Sequence, residues 1–247
     1  MNKLMNKLKN ILFVVEGAKT EVQLFKKLLE EYNLDINYNI FIYNTNIYEL
    51  YERIFETDAE LEDFDLLLAL KEKDPHNEVL MQKYTDIILA FDYEPQDNRF
   101  DIERINKLTE IFNESTENGK LYINYPMCEA YKHFKELPDA EFQNRVIDLE
   151  YLKKHEYKKM VSHEGKYNDL RKITRPLLNK MIYYHIKKAH YLQTKKGKFN
   201  LTNDYYDIDL KKILSIQNEF LTEEEKVYVL CTCIFFISDY NLKLLLK

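Results

Sequence analysis

Four short apolar runs, each followed by a stretch of helical periodicity, constrain this chain more than any other feature. Asn10–Val15 (NILFVV) has the unbroken apolar character of a strand buried on both faces, and Gly17 ends it. Thr20–Tyr32 follows, with Val22, Phe25, Leu28 and Leu29 on one helical face and Thr20 and Gln23 at capping-box spacing. Tyr38–Tyr43 reads as a second strand and Ile47–Phe55 as a helix. An acidic stretch then carries a helix over Ala59–Lys73, with Leu61, Phe64, Leu68 and Leu70 in its stripe, until Asp74-Pro75-His76-Asn77 breaks it. Thr85–Phe91 is the third strand, and Asp92–Asp97 is a loop because Pro95 cannot continue an interior strand. Ile102–Phe112 is helical and Leu121–Asn124 is the fourth strand. Pro126 is tolerated at the first turn of a helix over Met127–Leu137. The alternation predicts an α/β fold, a mainly parallel four-stranded sheet with flanking helices.

After Pro138 the alternation stops. Glu150–Ser162, Lys172–Gln193, Asp209–Phe220 and Thr222–Leu246 read as helices, an all-helical C-terminal extension, and Glu223-Glu224-Glu225 suits the N-terminus of the last. Charge is unevenly placed. Lys153–Lys198 holds 14 Lys and Arg against 3 Asp and Glu, whereas the remainder holds 22 against 39. An acidic body with one basic segment suits a protein that meets phosphate with one surface. Arg171, Lys172, Arg175, Lys180, Lys187 and Lys188 are the candidates for gripping a nucleic-acid backbone. The competing reading is that these lysines decorate solvated helix faces. His155, His163, His185 and His190 lie in the same segment and read as helix-surface polar groups.

Composition removes several classes. With 247 residues, 45% of them hydrophobic, the chain can bury one large core or two small ones. Only 4 Gly, 5 Pro and 3 Cys exclude collagen-like, Gly/Pro-rich and disulfide-scaffold classes. Cys128, Cys231 and Cys233 form no CxxC pair and read as buried small hydrophobes. The apolar run Ile11–Val15 is too short for a signal peptide, and Val227–Ile237 is about half of the roughly 20 residues a spanning helix needs. A soluble cytoplasmic chain with no membrane partner is the expectation. No GxxxxGK[ST], GxSxG or HExxH occurs, so the chain carries no ATPase loop, serine-hydrolase elbow or zincin helix of its own.

Ligands of parallel sheets gather beyond the carboxyl ends of the strands. Two predicted strands end in acid: Glu16 closes the first, Asp92 follows the third, and Glu94 lies two residues on. If strand geometry persists that far, Asp92 and Glu94 face the same way. If the first and third strands are neighbours, three carboxylates converge on one edge, where Mg²⁺ or Mn²⁺ is the natural counter-ion. Without it, mutual repulsion raises at least one of the three pKa values. A metal held by carboxylates and substrate phosphate serves phosphoryl transfer to water, with no side-chain nucleophile.

Val15-Glu16-Gly17, Thr20-Glu21 and Phe91-Asp92-Tyr93-Glu94 at a strand end resemble the topoisomerase-primase (Toprim) fold. The resemblance is closest to the Toprim nucleases of the overcoming-lysogenization-defect type and related bacterial anti-phage systems. It covers about residues 8–140, a catalytic domain, and leaves 141–247 as the basic helical extension. It implies a Mg²⁺- or Mn²⁺-dependent endonuclease acting on DNA or RNA, tRNA included, as an antiviral defence effector. Glu16, Asp92 and Glu94 are then catalytic and metal-binding, with Glu21 and Glu129 as further metal-side acids. The second acid of the family's DxD is here Glu94, and Glu21 stands five residues beyond Glu16 where four is usual. The resemblance also allows homo-oligomers and latency without an ATPase or sensor partner. The rival reading is a catalytically degenerate interaction or regulatory subunit of a larger defence assembly. A receiver-type phosphotransfer protein would want paired acids after the first strand, and this chain has one.

Overall fold

The computed structural model describes residues 8–56 and 65–246. In chain order the main elements are β1 (Lys9–Val15), α1 (Thr20–Tyr32), β2 (Ile36–Ile42), α2 (Ile47–Glu56), α3 (Leu66–Lys73), β3 (Asp86–Asp92), α4 (Ile102–Ile111), β4 (Asn113–Glu114) and β5 (Gly119–Asn124). There follow β6 (Val146–Asp148), α5 (Leu149–Lys153), α6 (Tyr157–Glu164), α7 (Arg175–Thr194), α8 (Leu201–Asp204), α9 (Leu210–Glu224), β7 (Lys226–Tyr228) and α10 (Phe236–Asn241).

The four long strands lie parallel in the order β2-β1-β3-β5, and the two-residue β4 adds an antiparallel fifth strand at the edge beside β5. Every residue of β3 is buried, as a central parallel strand covered on both faces requires. Val15 is paired with Ala90, so the ends of β1 and β3 stand side by side. Gly119 opens β5 at φ +119°, and a Cβ there would come within 2.6 Å of Leu89 Cδ1. Only glycine combines that backbone with so close an approach to the central strand.

Several elements differ from the sequence expectation. The helix expected over Ala59–Lys73 is described only from Leu66, where Asp65 caps it by accepting from the Leu68 amide at 3.2 Å. Leu61 and Phe64 lie outside the described residues, and Leu68 is 57% exposed. The helix expected over Met127–Leu137 is a 3-10 segment, Cys128–Lys132. Glu150–Ser162 divides into α5 and α6, with His155 at φ +54° between them.

The C-terminal part is not all-helical. β6 and β7 form an antiparallel ribbon, and Tyr125 bridges Leu230 just beyond it. Instead of one helix over Thr222–Leu246, α9 runs to Glu224, Glu225 turns the chain at φ +54°, and strand follows. Glu223-Glu224-Glu225 therefore ends a helix rather than starting one. The sequence from Val227 to Leu230 is β-branched and apolar enough to enter the core extended, and local helix propensity yields to that burial until a 3-10 turn over Cys233–Phe235. Residues 230–239 pack on the sheet. The Thr232 hydroxyl donates to the Ile123 carbonyl at 2.8 Å, and the Phe236 ring meets Phe13 of β1 edge-on at 5.1 Å and Phe25 of α1 at 6.3 Å. Among the described residues, no helix is long and apolar enough to cross a membrane.

Candidate functional site

The parallel pairing of β1 with β3 brings Glu16 to Asp92. Glu16 continues the β1 ladder by donating its amide to the Ala90 carbonyl at 3.2 Å. Its Oε2 accepts from the Asp92 amide at 2.9 Å. Asp92, at the last position of β3, is buried; its Oδ1 accepts from the Cys128 amide at 2.8 Å and from Asn124 Nδ2 at 3.3 Å. Asn124 ends β5 and is fixed in turn, its Oδ1 accepting from the Cys233 amide at 3.2 Å and from Cys231 Sγ at 3.3 Å. Three strand ends thus share one hydrogen-bonded layer.

Glu94 joins by a different route from the one expected. β3 stops at Asp92, and Glu94 sits at φ +39° with its amide donating to Pro126 O at 3.3 Å. The turn, not continued strand alternation, brings its charge to the site. Glu21 lies in the first turn of α1 and is buried; a Cβ on Gly17 would stand 3.0 Å from its Oε2, so glycine leaves that carboxylate room. Thr20 does not close a capping box: its hydroxyl donates to Glu129 Oε1 at 3.0 Å, and the helix start has no side-chain cap. Glu129 is buried, and its Oε2 has no hydrogen-bond partner among the described residues.

All five predicted acids therefore feel one another. Burial first, and then the charge of Glu94, push the Glu16 carboxyl up to about 8. Burial followed by the charges of Glu16, Glu21, Glu129 and Glu94 raises Asp92 well above the usual carboxylate range. Burial also leads the upward shifts of Glu21 and Glu94, with repulsion from Glu129 contributing to both. Repulsion was the cause expected from the sequence; desolvation is the larger one, because these strand ends are covered rather than open.

The main positive charge near the cluster comes from Lys158 in α6, whose Nζ is 3.4 Å from Glu129 Oε1. Burial opposes its charge, but Glu129 and Asp92 raise its pKa above the ordinary value. His155 also favours ionisation of Glu94. Lys158 and Asn124 belong to the site and were not singled out from the sequence, whereas Thr20 was read as a helix cap and as part of the Toprim-like motif. Lys158 stands near the start of the basic segment and Asn124 at a strand end, which were the available signals.

The basic candidates are not all at the surface. Lys188 is corrected: it is buried in α7, its ammonium donating to the Phe142 carbonyl at 3.0 Å and the Arg145 carbonyl at 2.6 Å. Burial lowers its pKa well below the ordinary value. Arg175 packs over the Tyr32 ring at 5.0 Å and donates to Leu244 O at 3.0 Å. Arg171 is exposed and paired with Asp169 at 2.9 Å; Lys172 and Lys180 are exposed, and Lys187 is half-buried. His185 and His190 are buried rather than on the helix surface. The three cysteines are buried and free, with Cys231 and Cys233 Sγ atoms 3.4 Å apart.

The donor set, carboxylate oxygen with one orphaned buried atom, suits a hard divalent ion in chemistry. As the side chains stand, no three His, Cys, Asp or Glu among the described residues are placed to hold one. No family model matches the chain, and no curated protein or solved structure is significantly similar to it.

Proposed function

We propose that the chain is a Mg²⁺- or Mn²⁺-dependent nuclease with a Toprim-type arrangement, hydrolysing phosphodiester bonds in DNA or RNA. The observation that carries this reading is the convergence of Glu16, Glu21, Asp92, Glu94 and Glu129 at the carboxyl ends of parallel strands, with Lys158 beside them. A cytoplasmic anti-phage effector, silent until an ATPase or sensor partner engages it, is the wider role proposed from the resemblance alone.

In this reading Asp92 and Glu16 would hold the ion, with Glu94, Glu129 and Glu21 as the further carboxylates available to it. The bound ion supplies Lewis-acid polarisation of the phosphate and a more acidic water. The chain's own residues do the rest. Asn124 and the Cys128 amide fix Asp92, and the Asp92 amide fixes Glu16. With the ion bound and Glu16 ionised by it, the free oxygen of Glu16 would accept the proton of the attacking water as the water's oxygen bonds to phosphorus. The opposite P–O bond breaks, and its leaving oxygen takes a proton from solvent. Lys158 sets a positive charge where negative charge grows on the phosphate.

The test is cleavage of plasmid DNA, single-stranded DNA and total RNA with Mg²⁺ or Mn²⁺, comparing wild type with Glu16→Gln and Asp92→Asn. Metal-dependent cleavage at least 100-fold weaker in both variants is expected. If wild type neither cleaves nor gains thermal stability from either ion, the non-catalytic interaction subunit takes its place. Metal binding without cleavage would identify a latent enzyme that needs its partner.

A further inference from the structure

The two edges of the main sheet are built differently. Beyond β5 the edge is β4, two residues long and carrying Glu114, the kind of short charged strand that discourages further pairing. The opposite edge is β2, with the sequence INYNIFI. In a chain that is 32% charged, this strand holds no charge, no proline and no glycine. It pairs with β1 along its full length and with no other strand among the described residues. A full-length edge without these blocking residues is a template for one more strand.

The direction of the ladder fixes which backbone groups are open. The Tyr43 amide donates to the Val15 carbonyl at 2.8 Å, so the odd-numbered residues of β2 turn their backbone groups to β1. Those of Tyr38, Ile40 and Ile42 therefore point away from the sheet, and Tyr38 and Ile40 find no backbone partner among the described residues. Side chains alternate with the pleat. Ile40 and Tyr38 share the face of Phe13, which is registered with Ile40 and meets the Tyr38 ring edge-on at 6.2 Å. Asn39 lies on the other face, its Nδ2 donating to Gln82 Oε1 at 3.1 Å. Tyr38 remains 39% exposed beside the open edge.

We propose that β2 is the contact between two copies of this chain, paired antiparallel about a two-fold axis at Ile40. About that axis Ile40 faces the second copy's Ile40 and Tyr38 faces its Ile42, so each outward amide meets an outward carbonyl. The strand is complementary to itself: aromatic and β-branched side chains stand opposite one another, and no like charges are opposed. A second copy also accounts for both edges. Pairing consumes the open edge of each chain and leaves the two blunted β4 edges outside, which gives a closed dimer rather than a growing fibre. The antiparallel arrangement sends the two carboxylate clusters to opposite rims of the joined sheet, so the contact stands apart from the nuclease chemistry.

The test is sedimentation velocity on the full chain over a hundredfold range of concentration, up to several hundred micromolar. Wild type should pass from monomer to dimer and form nothing larger. Tyr38→Lys sets a charge on the open edge and leaves the β1 ladder whole; it should raise the dissociation constant at least tenfold without lowering the melting temperature of the monomer. Cross-linking reads the register. Residues opposed in a hydrogen-bonded antiparallel pair have Cα atoms about 5.5 Å apart, within disulfide reach. Ile40→Cys should therefore give a disulfide-linked dimer under mild oxidation with diamide. Tyr38→Cys should not, because four residues of offset put it about 14 Å from its own copy. Wild type, whose three cysteines are buried, is the control. Dimerisation that Tyr38→Lys leaves unweakened, or cross-linking of Tyr38→Cys as ready as that of Ile40→Cys, would overturn the pairing. So would a wild type that stays monomeric throughout, which would leave the edge to a strand from another protein.

Discussion

Glu16 is a carboxyl that keeps its proton into the neutral range, and stability follows from that. Its folded pKa is about 8 against an ordinary 4.5, so its protonated form is favoured by the native state. The contribution is fully present below about 4.5 and is lost as pH rises through about 8. Asp92, Glu21 and Glu94 shift the same way and add to it. Urea midpoints taken with EDTA should therefore fall from pH 6 to pH 9, and Glu16→Gln should flatten the decline. Mn²⁺ competes with those protons, so its stabilisation should be larger at pH 8 than at pH 6. A midpoint that rises with pH, or an Mn²⁺ effect larger at pH 6, would contradict the assignment. The acids themselves were legible from sequence because each follows an apolar run or a helix start. Lys158 and Asn124 were not, since a charge-rich helix and a polar strand end look alike wherever they point.

Among elements, the segment between β5 and β6 is held by a buried pair. Arg145 Nη1 lies 2.9 Å from Asp139 Oδ2, with both side chains below 10% exposed, and also donates to the His133 carbonyl at 2.6 Å. Asp139 receives the amides of Lys135, Glu141 and Phe142. Removing one partner strands a charge, so Asp139→Ala should cost about 3–5 kcal/mol in urea unfolding; a loss under 1 kcal/mol would mean that water reaches Arg145. Periodicity located the four long strands within two residues and the helices α1, α2 and α4 closely. It failed over 222–246, where Val227, Val229 and Leu230 are spent on ribbon and sheet contacts rather than on a helix. It also placed Lys188 among the nucleic-acid candidates, because a local excess of lysine reports the segment's charge and not which side chains reach the surface.

On the scale of the whole molecule, the last described elements complete the first. Phe236 closes over Phe13 and Phe25, Tyr93 of the acidic loop donates to Asn218 of α9 at 2.5 Å, and Asp239 takes Lys120 of β5 at 2.7 Å. Phe236→Ala should destabilise the chain by about 3–5 kcal/mol while leaving one cooperative transition, read as coincident far-UV and tyrosine fluorescence melts. Two separated transitions would show that residues 8–140 and the remainder unfold independently. The same closure sets a clock on synthesis. The Asn124 that orients Asp92 is itself fixed by Cys231 and Cys233, which a ribosome delivers long after the strand they brace. At about 5–20 residues per second, the interval from residue 124 to residue 233 is on the order of five to twenty seconds. Through that interval the nascent chain exposes its acids without the brace that orders them, so the acidic cluster takes its final geometry only after residue 233 has emerged.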